Sequence, residues 1–227
     1  MKICGNRDCD DGGSFSKNVI TRLWGYWCLK AVGTMIFMAV FFSFYLYILK
    51  NPYFSITQIP FTIVDKNIDF QPYFLYFYLS LWVYVSLVPA LMKSKKELLY
   101  YAVYIGVVCA IGIGFYIFFP TSIPQSNVNW SQYPEFSMLK TIDTAGNAFP
   151  SLHVATAFFS FFWLDRELKQ MHAHSPLLWL NGIWCFGIIY STMAIKQHVF
   201  LDVLGGVILG GVFALLTLRY HKVQVLK

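Results

Sequence analysis

The sequence predicts an all-α, polytopic membrane protein built on six transmembrane helices. Three observations carry this. Of the 227 residues, 57% are hydrophobic and 19% aromatic, but only 12% are charged, against about a quarter in a soluble domain. Six apolar runs approach the roughly 20 helical residues needed to cross the hydrocarbon core. The basic residues fall unevenly on the two sets of ends of those runs. The composition excludes a water-soluble globular protein and a disordered chain. A net charge of +6 does not point to nucleic acid, because the basic residues are scattered singly or in short runs. Membrane lipid headgroups account for the balance.

Taken in order, the spans cover residues 26–49, 73–92, 98–119, 152–168, 177–194 and 199–219. The fourth is short and polar at both ends. No strand alternation competes. The first span is too long for a cleavable signal peptide, follows 25 polar-leaning residues and lacks a small-residue cleavage site. Residues 1–25 read as a short, poorly ordered cytoplasmic tail, 26–219 as the transmembrane catalytic domain, and 220–227 as a second short tail. Twelve basic residues lie at one set of ends (Lys2, Arg7, Lys17, Arg22, Lys93, Lys95, Lys96, Arg166, Lys169, Arg219, Lys222, Lys227) and four at the other (Lys50, Lys66, Lys140, Lys196). That asymmetry puts both termini in the cytoplasm and loops 50–72, 120–151 and 195–198 on the far side. Trp24, Trp27, Trp82, Trp130 and Trp179 fall near boundaries or in a loop, where an aromatic belt sits. The compactness of the chain favours a bacterial inner membrane.

Cys28, Cys109 and Cys185 lie in apolar runs and act as small hydrophobes. Cys4 and Cys9 are too few for a metal site, and five cysteines do not make a disulfide framework. Gly205, Gly206, Gly210 and Gly211 repeat at small-residue spacing on the sixth span and read as a helix-packing face, as do Gly112 and Gly114 on the third. His172 and His174 read as a solvated turn. Asp65 and Asp69 flank a far-side loop, as structural caps or as contacts for an acceptor head group.

Ionisable groups at span ends are costly and are therefore functional candidates. Two clusters stand out on the far side. One is Gly146-Asn147-Ala148-Phe149-Pro150-Ser151-Leu152-His153, opening the fourth span. The other runs from Ser191 through Lys196 and His198 to Asp202, opening the sixth. His198 and Asp202 are four apart and share a face if helical. The carboxylate can then accept the proton of one imidazole nitrogen and leave the other free as nucleophile or base. Helix N-termini favour anions, and Lys196 adds positive charge. Pro150 suits a first helical turn, Ser151 offers a hydroxyl and an N–H to an anion, and His153 can protonate a leaving alkoxide. Each cluster alone can equally be a capped helix start with an incidental histidine. Two histidines on one membrane face suggest phosphoryl transfer through a phosphohistidine, with a separate acid–base histidine and no metal or other cofactor.

Pro-Ser-Leu-His at 150–153, followed 38 residues later by Ser-Thr-x5-His-x3-Asp at 191–202, resembles the second and third motifs of the phosphatidic acid phosphatase type 2 superfamily, a six-span membrane family. The closer resemblance is to the branch containing inositol phosphorylceramide synthases and related bacterial proteins. Ala148-Phe149-Pro150-Ser151-Leu152-His153, Phe61-Thr62-Ile63-Val64-Asp65 and Phe118-Phe119-Pro120-Thr121 are similar to it. The resemblance covers roughly residues 55–210. It implies His198 as nucleophile, Asp202 as its orienting group, His153 as acid–base partner, and Ser151 as a residue that helps hold the phosphate; Lys196, Ser191 and Thr192 are further candidate substrate-binding residues. It also implies a phosphorylated lipid substrate. Water as acceptor makes the protein a lipid phosphatase; a lipid or inositol-like hydroxyl makes it a phosphotransferase. The wider family has a Lys-x6-Arg-Pro first motif and an arginine after the third-motif serine. Here the first-motif region, Pro120 to Gln125, has no basic residue, and the second position is Thr192. Arginine clamps phosphate in a bidentate fork, and its double absence leaves Lys196 and Lys140 as the nearby cations. A lipid-binding protein that kept the fold without the chemistry is the rival reading.

Overall fold

In a computed structural model the described residues are 11–126, 128–137, 139 and 147–225, with side chains described over 15–126, 128–137, 139 and 147–219. Cys4, Cys9, Lys140 and Gly146 lie outside the described residues. The chain folds as a helical bundle. The first span is α2 (Trp27–Lys50), after a separate helix α1 (Asp11–Trp24). A loop carries the two-residue strand β1 (Thr57–Gln58) and the one-turn helix α3 (Ile63–Asn67). The second span is broken into a 3-10 turn, Pro72–Phe74, then α4 (Leu75–Leu79) and α5 (Leu81–Leu91). The third is α6 (Lys95–Phe118), followed by strand β2 (Thr121–Ser122). The last three are α7 (Leu152–Gln170), α8 (Ser175–Ala194) and α9 (Phe200–Val225).

Five of these spans are long and apolar enough to cross a membrane by length and composition. Their outward residues form an apolar girdle, including Val32, Ile36, Val40 and Phe44 on α2, Leu99 and Val103 on α6, Trp179 and Ile183 on α8, and Ile208 and Val212 on α9, all exposed. The chain is thus an integral, multi-pass membrane protein. The remaining span, α7, the fourth in chain order, carries Asp165, Arg166, Glu167 and Lys169 in its last turns. It occupies the middle of the bundle, packed against α5, α6, α8 and α9. A helix screened from lipid by its neighbours does not need an apolar circumference.

Close approach to α7 depends on the α9 glycines. A Cβ at Gly206 would come 2.5 Å from the Ser151 carbonyl oxygen, one at Gly205 would meet the Phe149 ring at 2.5 Å, and one at Gly210 would strike the Ala155 backbone. Gly112 on α6 has the same relation to Leu152, whereas a Cβ at Gly114 would meet none of the described residues within 4 Å, so Gly114 is not part of a packing face among them.

The N-terminal segment departs from the expected loose tail. Phe15, Val19 and Arg22 recur at helical spacing. Phe15 and Val19 pack against the core, and Arg22 reaches Glu167 at 2.6 Å and the Leu91 carbonyl at 3.2 Å. Glu167 is fully buried and also pairs with Arg166, which bonds Glu97 at 3.1 Å. Lys30 donates to the Ala90 carbonyl at 2.8 Å. This ionic network closes one end of the bundle. The break in the second span falls at Ser80, whose Oγ donates to the Phe77 carbonyl at 2.7 Å and accepts from Trp184 Nε1 at 2.8 Å. His172 and His174 are exposed, as a solvated turn requires.

Candidate active site

The two sequence clusters meet at the end of the bundle opposite the ionic network. Residues 147–150 are pinned before α7 begins. Ala148 N–H donates to the Thr121 carbonyl at 3.3 Å and Phe149 N–H to Thr121 Oγ1 at 2.8 Å. Thr121 is itself held by the parallel pairing of β1 with β2. Ser151, not Pro150, starts the helix: its Oγ accepts from Val154 N–H at 3.3 Å. Pro150 lies one residue outside, where its carbonyl accepts from the Tyr116 hydroxyl at 2.7 Å. Ser151 N–H donates to the Asp202 carbonyl at 3.0 Å, so one backbone bond ties the fourth span's start to that of the sixth.

His198 lies in the turn before α9 rather than on the helix. The Thr192 carbonyl accepts from both Gln197 N–H (2.9 Å) and His198 N–H (3.0 Å), folding the end of α8 back on itself. Asp202, fully buried in the first turn of α9, accepts from Val199 N–H at 3.1 Å through Oδ2. The same oxygen lies 3.4 Å from His198 Nδ1. One carboxylate thus caps the helix and braces the imidazole. Asp65 is a cap too, as the structural reading expected. Its Oδ2 accepts from Thr62 N–H, and its Oδ1 from Phe200 N–H, both at 2.7 Å.

The imidazoles of His153 and His198 lie with ring centroids 5.8 Å apart. His153 stacks on Tyr78 at 4.6 Å and meets the edge of Trp82 at 5.8 Å, which fixes its ring plane. Both histidines line one cavity of about 50 Å³, room for a phosphate-sized group or several waters. Asn147 and Thr156 are its other short polar residues, and the rest of the wall is mostly aromatic and aliphatic, including Phe41, Tyr45, Leu81, Val85 and Ile105. Four buried polar atoms have no hydrogen-bond partner among the described residues: His198 Nε2, Asp202 Oδ1, Asn147 Nδ2 and Gln197 Nε2. Such groups are rare in native interiors and call for an explanation.

The expected phosphate ligands divide. Ser151 is fully buried at the helix start beside Asp202 and lines neither of the two cavities that touch His198. Lys196, at a left-handed φ of 58°, donates to the Ile68 carbonyl and lines a smaller cavity of about 10 Å³ that also touches His198. Ser191 and Thr192 are fully buried and line neither cavity. Their hydroxyls donate to the Ile188 and Ile189 carbonyls of their own helix at 2.6 and 2.8 Å. Gln125, in the region of the missing first motif, is exposed and lines neither cavity. Among the described residues no group of three His, Cys, Asp or Glu side chains can hold a metal. Asn147 lines the cavity and was given no role from sequence; its signal was a lone amide between a glycine and an apolar run.

Five apolar spans frame this end, and a wide cleft leads away from it. It has a volume of about 380 Å³ between α2, α5 and α6, and shares Phe37, Met38, Val85 and Ile105 with the histidine cavity. No curated protein and no solved structure matches the chain. The family model described as the PAP2 superfamily, whose members are phosphatases or phosphotransferases, matches residues 97–225. That stretch is more than half of the chain, runs from α6 through α9 and carries both histidines, so the chain belongs to the PAP2 superfamily.

Proposed function

We propose that the protein is a membrane phosphatase or phosphotransferase acting on a phosphorylated lipid through a phosphohistidine at His198. The carrying observation is the 5.8 Å separation of two imidazoles facing one cavity, a spacing that lets them flank one phosphate. Asp202 accepts the Nδ1 proton of His198, so the Nε2 lone pair points outward as nucleophile. Nε2 attacks phosphorus; the P–N bond forms and the P–O bond to the lipid breaks. His153 donates its proton to the departing oxygen. It then takes a proton from water or an alcohol, whose oxygen attacks phosphorus and breaks the P–N bond.

The apolar walls and the adjoining cleft support a hydrocarbon-bearing substrate, since a phosphate entering there brings an apolar chain with it. Lys196 uses one of its three donors on Ile68, which leaves two for an anion beside His198, while Ser151 serves by holding the start of α7 against Asp202. The basic asymmetry of the loops supports an active site on the extracytoplasmic face, with both termini cytoplasmic. The Ala-Phe-Pro-Ser-Leu-His stretch and Thr192 in place of arginine favour a second form of this reading. In it, as in the inositol phosphorylceramide synthase-like branch, a head group moves to a lipid acceptor.

The test is incubation of detergent-purified protein with phosphatidic acid and with isoprenyl pyrophosphate, with and without chelator. Phosphate release abolished by His198→Ala is expected. Label passing to an added hydroxyl acceptor with little free phosphate identifies the transferase. Chelator-sensitive turnover refutes the metal-free mechanism, and turnover unaffected by His198→Ala refutes the whole reading.

A further inference from the structure

We propose that Asn147 is a catalytic residue whose side-chain amide grips the transferring phosphoryl group, an uncharged donor in a cavity that no lysine or arginine lines among the described residues. The inference rests on the phosphohistidine reading and adds to it a further, neutral group that holds the phosphate oxygens.

A phosphoryl group held between His153 and His198 needs donors aimed at its non-bridging oxygens, because charge spreads over them as the bond to the leaving oxygen breaks. No lysine or arginine lines the histidine cavity among the described residues. Thr156 Oγ1 already donates to the Leu152 carbonyl at 2.8 Å, and the Tyr116 hydroxyl to the Pro150 carbonyl at 2.7 Å. Asn147 is different. It lines the cavity with both histidines, is 5% exposed, and its Nδ2 has no partner among the described residues. A buried amide N–H with no acceptor keeps its full desolvation penalty. A phosphate oxygen in the cavity would satisfy it.

The support under this amide is stiff. The next two residues, Ala148 and Phe149, are tied to Thr121 by the bonds that continue from the β1–β2 pair. A donor on such a base is oriented before substrate arrives, which is what electrostatic stabilisation of a transition state requires. Asn147 also has a φ of 57°, a left-handed conformation that asparagine, aspartate and glycine tolerate and most residues do not. Asparagine here therefore has two possible uses, a backbone use and an amide use, and the same fact separates them. Glycine and aspartate both preserve the backbone, but neither offers the N–H.

The experiment uses the full-length protein in detergent with Asn147→Gly, Asn147→Asp and His198→Ala. Two quantities are read: the rate of acid-labile phosphoenzyme formation from ³²P-labelled phosphatidic acid in a single turnover, and protection of the histidines by vanadate. Vanadate mimics the five-coordinate phosphorus whatever the lipid. Asn147→Gly is expected to keep the wild-type melting temperature within a few degrees, and to lose about 100- to 1,000-fold in rate, as when one oxyanion donor is removed. Its vanadate affinity falls in parallel. Asn147→Asp, nearly isosteric, loses at least as much because its carboxylate repels the anion. If both variants stay within about threefold of wild type in rate and vanadate affinity while His198→Ala is inactive, Asn147 serves only the backbone and the proposal fails. If wild type forms no phosphoenzyme and its histidines are not protected by vanadate, the phosphohistidine reading fails first and takes this one with it. Should Asn147→Gly not fold, Asn147→Asp alone decides.

Discussion

Replacing Asp202 by asparagine would remove the charge behind His198, the proposed nucleophile, while keeping the volume of a fully buried side chain. Asp202 Oδ2 faces two groups, Val199 N–H at 3.1 Å and His198 Nδ1 at 3.4 Å. Both groups face the same oxygen, so an asparagine that puts its amide oxygen there keeps both contacts, and its NH₂ takes the place of Oδ1, which has no partner among the described residues. What is lost is the negative charge. The imidazolium that forms as Nε2 bonds to phosphorus then faces a neutral amide. A unit charge pair about 4 Å apart is worth about 4 kcal/mol at an effective dielectric of 20. The 3.4 Å separation is long for a hydrogen bond, as resting catalytic bonds often are before substrate binds. A loss of about 10³ follows, or roughly 4 kcal/mol of transition-state stabilisation. Rapid-quench measurement of phosphoenzyme formation reads it, with thermal melting in detergent as the control for folding. An Asp202→Asn protein that folds and forms phosphoenzyme within tenfold of wild type refutes this role for the charge.

Three further outcomes are expected. His153→Gln should slow phosphoenzyme formation from a natural lipid by about 100- to 10,000-fold, but much less from a p-nitrophenyl phosphate ester, whose leaving group needs no proton; equal losses on both would remove His153 as the acid. Gly33 lines the wide cleft, and a Cβ there meets nothing within 4 Å. Gly33→Phe should therefore fold normally, cut turnover of long-chain phosphatidic acid and spare a short-chain analogue, and a uniform effect on both chain lengths would separate the cleft from the substrate. Gly206→Val forces atoms onto the Ser151 carbonyl and should destabilise by about 1–3 kcal/mol, read as a lowered melting temperature in detergent; an unchanged melting temperature would show that α7 and α9 can part at no cost.

What could be read from the sequence follows the strength of the local signal. Apolar runs set by membrane thickness gave the spans to within a few residues, and the histidine motifs carried their own spacing. The short pieces were hidden. β1 and β2 are two residues each, too short for any alternation to appear, and pair only because the loops bring them together. α1 was missed because its apolar face is narrow and its hold on the bundle comes from Arg22 reaching Glu167, 145 residues away. Ser80 interrupts the second span without a proline or glycine to announce it, held by Trp184 from another helix. Lys196 was read as a free cation because sequence gives charge and not partners; the Ile68 carbonyl that engages it is 128 residues distant. Asn147 failed to register for the reverse reason: a neutral amide looks like loop composition until burial leaves its N–H alone.

The polarity that makes α7 a poor membrane span and the chemistry at its tip have one physical origin. A helix facing lipid cannot carry Ser151, His153, Ser160 and Glu167 without heavy desolvation cost. α7 carries them because other helices cover it. α9 comes close enough to do so through glycines whose missing side chains leave room for the Ser151 and Ala155 carbonyls. That same contact brings Asp202 to the Ser151 N–H at 3.0 Å, and so sets His198 opposite His153. Small residues on one helix thus set the separation of the two imidazoles. Enlarging Gly206 should for this reason reduce phosphoenzyme formation more steeply than it lowers stability, because the separation of two imidazoles is sensitive to a displacement that the rest of the bundle can absorb. Activity that fell only in proportion to the unfolded fraction would show that the histidine geometry is held by something other than this helix contact.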